Sequence, residues 1–600
     1  MNNEIEAEMN IQEKEILGFL MESSFENQRH LADAVGYSLG VINRSLKHLM
    51  QMGYLSDEAE PTETARYMLQ EMKPKRAVIL AAGAGMRMVP INTGATKGML
   101  KVRGEILIER LIRQLHEAGI REIYIVVGFL KEQYEYLIDE YQVQLLVNPN
   151  YGTMNNLYSL ALAKERLANA YILPCDIWCE KNPFRKYELY SWYMVSEEEE
   201  KHSDVRMNRK YELVRCGRKE NGNRMIGIAY LQEPESGYVK RQIKGMTENG
   251  EHTDSFWEET LWKDEVMVTA ARPVSAGETF EINTYEQLRE LDSDSGDLDS
   301  DILRLAAQAL EVGTEEIADI TVLKKGMTNR SFRFCCKGKR YIMRIPGEGT
   351  DQLINRREEY EVYEAIRDKK ICDDIYYIDP ENGYKITAFL ENARVCNPEE
   401  PEDVKQCMAY LRNFHESGLK VGHCFDIFEH IEYYESLWGG ERSAYRDYAI
   451  TKQKVYELKK YIDSREHDWA LTHIDAVPDN FMFLENGEIR LIDWEYAGMQ
   501  DPHVDIAMFA IYALYDREQV EALMKAYFPE GVNGDVRLKI YCYIAACGLL
   551  WSNWCEYKRQ KGVEFGEYSL RQYRYAKDYY RIFHEEEDIL NARKEEEGNV

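Results

Sequence analysis

Apolar residues recur at helical spacing over Ile11, Ile16, Leu17 and Leu20, which predicts a helix over residues 11–21. The stretch N-Q-R-H-L-A-D-A-V-G-Y-S-L-G-V-I-N-R-S-L-K-H-L-M predicts two short helices. Asn27 caps one that ends at Val35, Gly36 makes the turn, and Ser38 caps another that ends near Gly53. Leu31, Val35, Val41, Ile42, Leu46 and Leu49 form their predicted shared core. The pattern then changes. Residues 77–82 are a continuous apolar run, as a buried parallel strand requires. Strand and helix signals alternate after it: helix over 107–118, strand over 122–127, helix over 131–140, strand over 144–147. That alternation predicts a doubly wound α/β layout with ligands at the carboxyl ends of the strands. A third pattern follows. Residues 320–334 predict two antiparallel strands around Gly326, K-R-Y-I-M-R-I-P-G predicts another, and Asn486-Gly487 predicts a hairpin turn.

Six hundred residues exceed what one hydrophobic core serves, so several domains are expected. The boundaries fall at 1–75, 76–292, an acidic linker at 293–301, and 302–600. A net charge of -30 opposes broad binding to nucleic acid or anionic membrane. The longest apolar runs, 506–514 and 544–551, fall short of the ~20 residues that span a bilayer, so no membrane insertion is expected. The start M-N-N-E-I-E-A-E carries no basic-then-apolar leader, and the twelve cysteines include no C-x-x-C pair. Cys175 and Cys179 flank Asp176, but two thiols do not make a zinc site. Reduced thiols in a cytoplasmic protein are the expectation.

The pattern of residues 27–55, down to its exit L-x-x-M-G-Y-L, resembles the winged helix-turn-helix of bacterial regulators. The resemblance places Ser38, Asn43, Arg44 and Lys47 on the recognition helix. The wing, Ser56-Asp57-Glu58-Ala59-Glu60, would repel phosphate. A docking or regulatory role is therefore favoured over DNA binding for residues 1–75.

After the strand at 77–82 come Gly83-Ala84-Gly85, where backbone can approach a phosphate, and the cations Arg87 and Lys97. No G-K-[ST] closes the loop, so it is not a Walker loop. G-A-G-M-R, Lys97 twelve residues after the G-x-G, and L-K-V-R-G-E-I-L-I-E-R together resemble the sugar-phosphate nucleotidyltransferases. N-P-N-Y-G-T-M-N-N-L-Y-S-L resembles the bacterial CTP:phosphocholine cytidylyltransferases within that superfamily. The resemblance implies a CTP site lined by Ala82, Gly83, Ala84, Gly85, Asn155, Asn156 and Ser159, with Arg87 and Lys97 stabilising the developing charge. Thr96 stands where proline is usual, a change expected to loosen the loop. Asp176, at the end of an apolar strand, reads as a helix cap or a Mg²⁺ ligand, and the loop upstream favours the ligand. Asn283 stands where the family usually shows aspartate, and Glu281 two residues before it could compensate. A site for a quaternary ammonium needs aromatic faces and a carboxylate. Trp178, Tyr193, Tyr230, Phe256 and Trp257 are the candidates, with Glu258 and Glu259 beside them.

K-K-G-M-T-N-R-S-F-R-F and K-R-Y-I-M-R-I-P-G resemble the nucleotide lobe of choline kinases, which is built like that of protein kinases. The resemblance sets Gly326, Thr328 and Asn329 over the ATP phosphates and pairs Arg344 with Glu359. L-T-H-I-D-A-V-P-D-N-F-M-F-L-E-N-G-E-I-R-L-I-D-W-E-Y resembles the choline and aminoglycoside kinase catalytic loop. By that likeness Asp475 accepts the substrate hydroxyl proton, His473 braces the loop, and Asn480 and Asp493 hold Mg²⁺. G-L-L-W-S-N-W-C-E-Y and V-E-F-G-E-Y resemble the choline/ethanolamine kinase pocket, which implies Trp551, Trp554, Phe565 and Tyr568, with Trp494 close by, around an ammonium. The whole then reads as a bifunctional enzyme that phosphorylates choline with ATP and joins CMP from CTP to phosphocholine, giving CDP-choline. The alternatives are ethanolamine or another amino alcohol or phosphonate as substrate, or a DNA-binding regulator with metabolite-sensing domains.

Overall fold

The computed structural model describes residues 9–598 apart from 84, 86–87, 92–93, 202, 218–219, 249–251, 324–328, 348–349, 351 and 561–564. It divides into two compact units, Met1–Arg304 and Leu305–Val600. Among the described residues no helix is long and apolar enough to cross a membrane.

The first unit opens with α1 (Ile11–Glu22), α2 (Gln28–Val35), α3 (Leu39–Gln51) and α4 (Glu63–Glu71). Asn27 Oδ1 accepts the N–H groups of Arg29 and His30 at the start of α2, and Ser38 caps α3. Such caps contribute about 1 kcal/mol each. Gly36 ends α2 at φ 74°, the left-handed conformation glycine adopts without cost. These helices do not close on themselves. Ile16, Leu17, Leu31, Ile42 and Leu49 are continuous in one core with Ile79, Tyr171, Trp192 and Tyr230 of the sheet that follows.

That sheet runs Gln144–Val147, Glu122–Val127, Arg76–Ala81, Ala170–Pro174, Asn221–Leu231, Trp192–Lys201, Val266–Val274, Glu212–Arg215, Val205–Met207 in spatial order. The first four strands are parallel, which sets the loop after Ala81 and the turn after Pro174 at the same edge. Residues 131–140 form a 3-10 turn (Lys131–Tyr134) and a separate short helix (Leu137–Tyr141) in place of one helix. Leu130, at φ 45°, precedes the turn in the left-handed region.

Part of the expected linker at 293–301, with Asp292 just before it, is bonded into the first unit. Asp292 and Asp297 carboxylates accept the backbone N–H groups of Arg103 and Lys101, each at 2.5 Å, and Ser295 Oγ donates to Lys101 O. The acidic side chains satisfy backbone donors that a short two-stranded hairpin leaves unpaired.

The second unit carries a five-stranded antiparallel sheet, in the order Ile317–Val322, Asn329–Cys336, Lys339–Pro346, Lys385–Ala388, Ile375–Ile378, with the helix Arg356–Ile366 packed on it. The rest is mostly helical, dominated by Gly534–Gln560 and Glu567–Gly598. The catalytic-loop segment folds as a short hairpin, Phe481–Phe483 with Ile489–Leu491, turning at Gly487 with φ 81°.

Candidate active sites

The glycine loop, Lys97, Asp176 and Asn283 meet in one cavity of about 830 Å³ at the carboxyl edge of the parallel strands. Lys97 Nζ donates to Asp176 Oδ2 and to Asn283 Oδ1, both at 2.6 Å. Two oxygens far apart in sequence, brought together by the pairing of Ile177–Cys179 with Thr279–Glu281, thus converge on one cation. Gly85, at φ 60°, leaves only 3.0 Å between an added Cβ and Lys97 Cγ, so the loop closes over the lysine because no side chain intervenes. Gly98 is as constrained, with Tyr134 and Cys175 at 3.0–3.3 Å from an added Cβ. Thr96 does not loosen this loop. Its backbone N–H, a donor proline lacks, donates to Gln133 Oε1 at 3.1 Å, and Gln133 Nε2 donates to Gly94 O at 2.6 Å. Glu281 is exposed at the same cavity, and the bond to Lys97 is made by Asn283.

Ala82, Gly83, Asn155, Asn156 and Ser159 line the cavity. Ala84 and Arg87 lie outside the described residues. Asn155 Nδ2 donates to Asp254 O at 2.9 Å, and Asn156 Oδ1 accepts the Trp257 N–H at 2.8 Å. The asparagine pair therefore holds the segment that brings Phe256, Trp257 and Glu258 to the cavity. Tyr193 and Trp257 stand with ring centroids 5.9 Å apart, and the Tyr193 hydroxyl donates to Glu258 Oε1 at 3.1 Å. Glu258 Oε2 is buried without a hydrogen-bond partner among the described residues, and burial pushes the carboxyl up to about 7.

Two of the aromatic candidates are elsewhere. Trp178 lies under the Arg110 guanidinium, 4.0 Å from its ring centroid, and donates Nε1–H to Glu180. Tyr230 pairs in register with Trp192 and packs against Tyr171, ring centroids 5.1 Å apart, in the core on the opposite face of the sheet. Strand alternation sends Tyr193 to the cavity and its neighbour Trp192 away from it.

In the second unit a cavity of about 490 Å³ brings together Arg344, Asp475, Asn480, Asp493, Trp551, Trp554 and Tyr568. Asn480 Nδ2 donates to Asp475 O at 2.9 Å, and His473 Nε2 donates to Ile492 O at 3.0 Å, joining the two halves of the loop. Asp493 sits at φ 69° and Ile474 at φ 68°, both in the left-handed region. Burial, with Asp493 and Glu495 nearby, pushes the Asp475 carboxyl up to about 8. Arg344 is bonded to Glu359 at 2.5 and 2.9 Å. Gly326 and Thr328 lie outside the described residues, as does the side chain of Asn329.

Trp551 and Trp554 meet edge to face with ring centroids 5.6 Å apart, and Tyr496 meets Trp551 edge-on at 5.6 Å. Phe565 backs Trp554 at 5.1 Å. Trp494 does not reach the cavity. It is fully buried, donates Nε1–H to Leu491 O at 2.7 Å and meets His473 edge to face with ring centroids 4.5 Å apart, so it braces the loop from behind. Sequence reasoning missed Tyr496 and Tyr512 on the cavity wall and Asp505 behind it. Asp505 had one signal, a lone carboxylate in the apolar helix His503–Tyr512.

The winged helix-turn-helix DNA-binding family matches residues 9–56, the MobA-like NTP transferase domain 77–183, and choline/ethanolamine kinase 320–530. The choline-phosphate cytidylyltransferase of Streptococcus pneumoniae is 31% identical over 232 residues, 36% of this chain and 96% of that protein. Protein LicA of Haemophilus influenzae is 27% identical over 260 residues, 41% of this chain and 96% of that protein. The crystal structure of choline kinase LicA from Streptococcus pneumoniae aligns at 28% identity with a TM-score of 0.42, covering 47% of this chain and 98% of that one. Behind a winged helix, the chain belongs to the choline-phosphate cytidylyltransferase family and carries a choline/ethanolamine kinase domain, two transferase activities in one enzyme.

Proposed function

We propose that the chain converts choline to CDP-choline in two steps, with ATP as phosphoryl donor and CTP as cytidylyl donor. The observation that carries the reading is that each cavity pairs a phosphate-transfer group with aromatic walls: Asp475 with Trp551 and Trp554, and Lys97 with Tyr193 and Trp257. In the kinase cavity Asp475 takes the proton of the alcohol as its oxygen attacks the γ-phosphorus, and ADP leaves. In the other cavity a phosphocholine oxygen attacks the α-phosphorus of CTP, and pyrophosphate leaves. Lys97 and the glycine-loop amides hold the triphosphate and stabilise its growing charge. The oxygens of Asp176 and Asn283, already gathered on one ammonium, and those of Asn480 and Asp493 suit Mg²⁺. Mg²⁺ bound there would neutralise phosphate charge. The product of the first step is the substrate of the second, which supports joining them in one chain.

A second reading has its own support. Glu258 Oε2 has no hydrogen-bond partner among the described residues, and a primary ammonium would donate to it where choline cannot. A 2-aminoethylphosphonate cytidylyltransferase is 27% identical to the chain over 91% of its own length. For the helical module, exposed Asp57, Glu58 and Glu60 beside α3 favour regulatory docking over DNA. Mass identification of products from choline, ethanolamine or 2-aminoethylphosphonate with ATP and CTP decides the substrate. Absence of CDP-choline from choline refutes the main reading. Asp475→Ala should abolish phosphorylation yet leave cytidylyl transfer to supplied phosphocholine.

A further inference from the structure

The strand Glu122–Val127 lies beside Arg76–Ala81 in the parallel sheet, so the segment that leaves it emerges beside the glycine loop. Two contacts fix it there. Phe129 N–H donates to Ala82 O at 3.2 Å, and a Cβ added to Gly128 would stand 2.8 Å from the same oxygen. Glycine lets the two backbones approach this closely. The segment then turns at Lys131–Tyr134.

That turn presents two neighbouring side chains to the loop that carries Lys97. Tyr134 is fully buried, and its hydroxyl stands 3.0 Å from a Cβ added to Gly98, just after the lysine. Gln133 takes the other side. Its Oε1 accepts the N–H of Thr96 at 3.1 Å, and its Nε2 donates to Gly94 O at 2.6 Å. One amide thus serves a backbone donor and a backbone acceptor on either side of Ala95, which fixes the peptides between them. The Thr96 side chain gives no such support, since it stands at the N-cap of Lys97–Met99 without a capping bond. From this loop Lys97 Nζ reaches Asp176 and Asn283, each at 2.6 Å, so a shift at Thr96 passes directly to the ammonium. Gln133 itself stands outside the cavity wall.

We propose that Gln133 is a positioning residue for cytidylyl transfer: it holds the loop from Gly94 to Lys97 so that the ammonium meets the triphosphate, without touching either substrate. The proposal rests on the nucleotidyl-transfer reading of the first unit. A charged lysine about 1 Å out of place still attracts the triphosphate in the ground state but loses much of its effect on the transition state.

The test uses the full chain with CTP and supplied phosphocholine, and compares Gln133→Leu in two backgrounds. In the otherwise unmutated chain kcat should fall about 30-fold with the CTP KM within about threefold, the signature of an interaction made in the transition state. In a Lys97→Ala background, followed by single turnover at high enzyme, the same change should cost less than about twofold, because the group it positions is gone. Gln133→Met, of similar length and also without the amide, replaces Gln133→Leu should the latter fail to fold. An equal loss in both backgrounds shows a merely structural role and overturns the proposal, as does an unchanged kcat in the otherwise unmutated chain. Turnover of CTP by the unmutated chain tests the nucleotidyl-transfer reading itself, whereas the ratio of the two losses tests Gln133 alone.

Discussion

Asp505 Oδ1 accepts the backbone N–H of Ile474 at 2.8 Å, immediately before Asp475 in the chain. Its Oδ2 accepts the N–H of His473 at 3.0 Å and Nε2–H of His415 at 2.8 Å. Ile474 is β-branched and sits at φ 68°, a strain of roughly 1–3 kcal/mol that persists only where the surroundings over-determine it. Asp505 supplies that constraint from a fully buried position. Asp505→Asn replaces one acceptor by a donor that faces N–H groups. The phosphorylation kcat should fall about 100-fold through misplacement of Asp475, with the ATP KM little changed. Cytidylyl transfer from supplied phosphocholine should be unaffected, and assaying both activities on one preparation separates the two effects.

On the proposed reading, Glu258 should make the cytidylyl step sensitive to pH. Its carboxyl is raised to about 7 by burial, with Tyr193 donating to it and Glu281 and Glu259 opposing its ionisation. Below that pH it is neutral and attracts no ammonium; above it the charge is present. The phosphocholine KM should therefore fall as pH rises from 6 to 8. Glu258→Gln should flatten that profile and raise the KM at pH 8 by roughly tenfold, the equivalent of one pKa unit of interaction. Stability moves the other way. The protonated form is the one burial favours, so the contribution is complete below about 4.5 and is lost as pH rises through 7. A KM that is flat with pH in the unmutated chain would remove Glu258 from the acceptor site.

The parts of both sites that were legible lie close together in sequence or carry a fixed spacing. His473, Asp475, Asn480 and Asp493 come from one segment whose hairpin turn is written in Asn486-Gly487. Lys97 and Asp176 were legible because a glycine loop and an apolar strand each have a local pattern. The aromatic assignments needed register, which composition does not supply. Tyr193 and Trp192 are neighbours with opposite destinations, and Tyr230 follows Trp192 because the two are paired across strands. Asp505 acts through partners tens of residues away, and no spacing rule marks it. The shared core of residues 1–75 and the sheet was hidden for the same reason, since Glu15 and Arg272 are bonded across 257 positions.

Glu15 is the polar anchor of that shared core. Its Oε1 accepts from Arg272 at 3.0 Å and from the Tyr190 hydroxyl at 2.5 Å, and its Oε2 accepts from Arg185 at 2.5 Å. Burial alone would raise its carboxyl, but Arg272 and Arg185 hold it down to about 2. Removing one partner of a buried ion network typically costs about 3–5 kcal/mol, because the remaining charges stay buried. Glu15→Ala should destabilise the first unit by about that amount at pH 7, read by urea denaturation. A depressed carboxylate contributes stability above its unfolded value near 4.5 and loses it as pH falls toward 2. The gap between the unmutated chain and the variant should therefore narrow at pH 3. A gap under ~0.5 kcal/mol at pH 7 would show that Glu15 does not anchor residues 1–75 to the sheet.

Asn283 offers a direct test of the convergent oxygens around Lys97. A neutral amide and one carboxylate leave the position with a single negative charge, whereas Asn283→Asp would give it two. Hard divalent cations gain from each added carboxylate at a site of unchanged shape. The Mg²⁺ concentration for half-maximal cytidylyl transfer should fall several-fold in Asn283→Asp, with the CTP KM measured at saturating Mg²⁺ nearly constant. Without Mg²⁺ the second carboxylate would hold the Lys97 ammonium more firmly, so residual metal-free binding of CTP should weaken. Lys97→Ala should lose cytidylyl transfer by about 100-fold or more even at saturating Mg²⁺, because the charge it supplies to the triphosphate is fixed in place and water does not replace it. If Asn283→Asp leaves the Mg²⁺ dependence unchanged while Lys97→Ala inactivates, Asn283 serves only to hold the lysine.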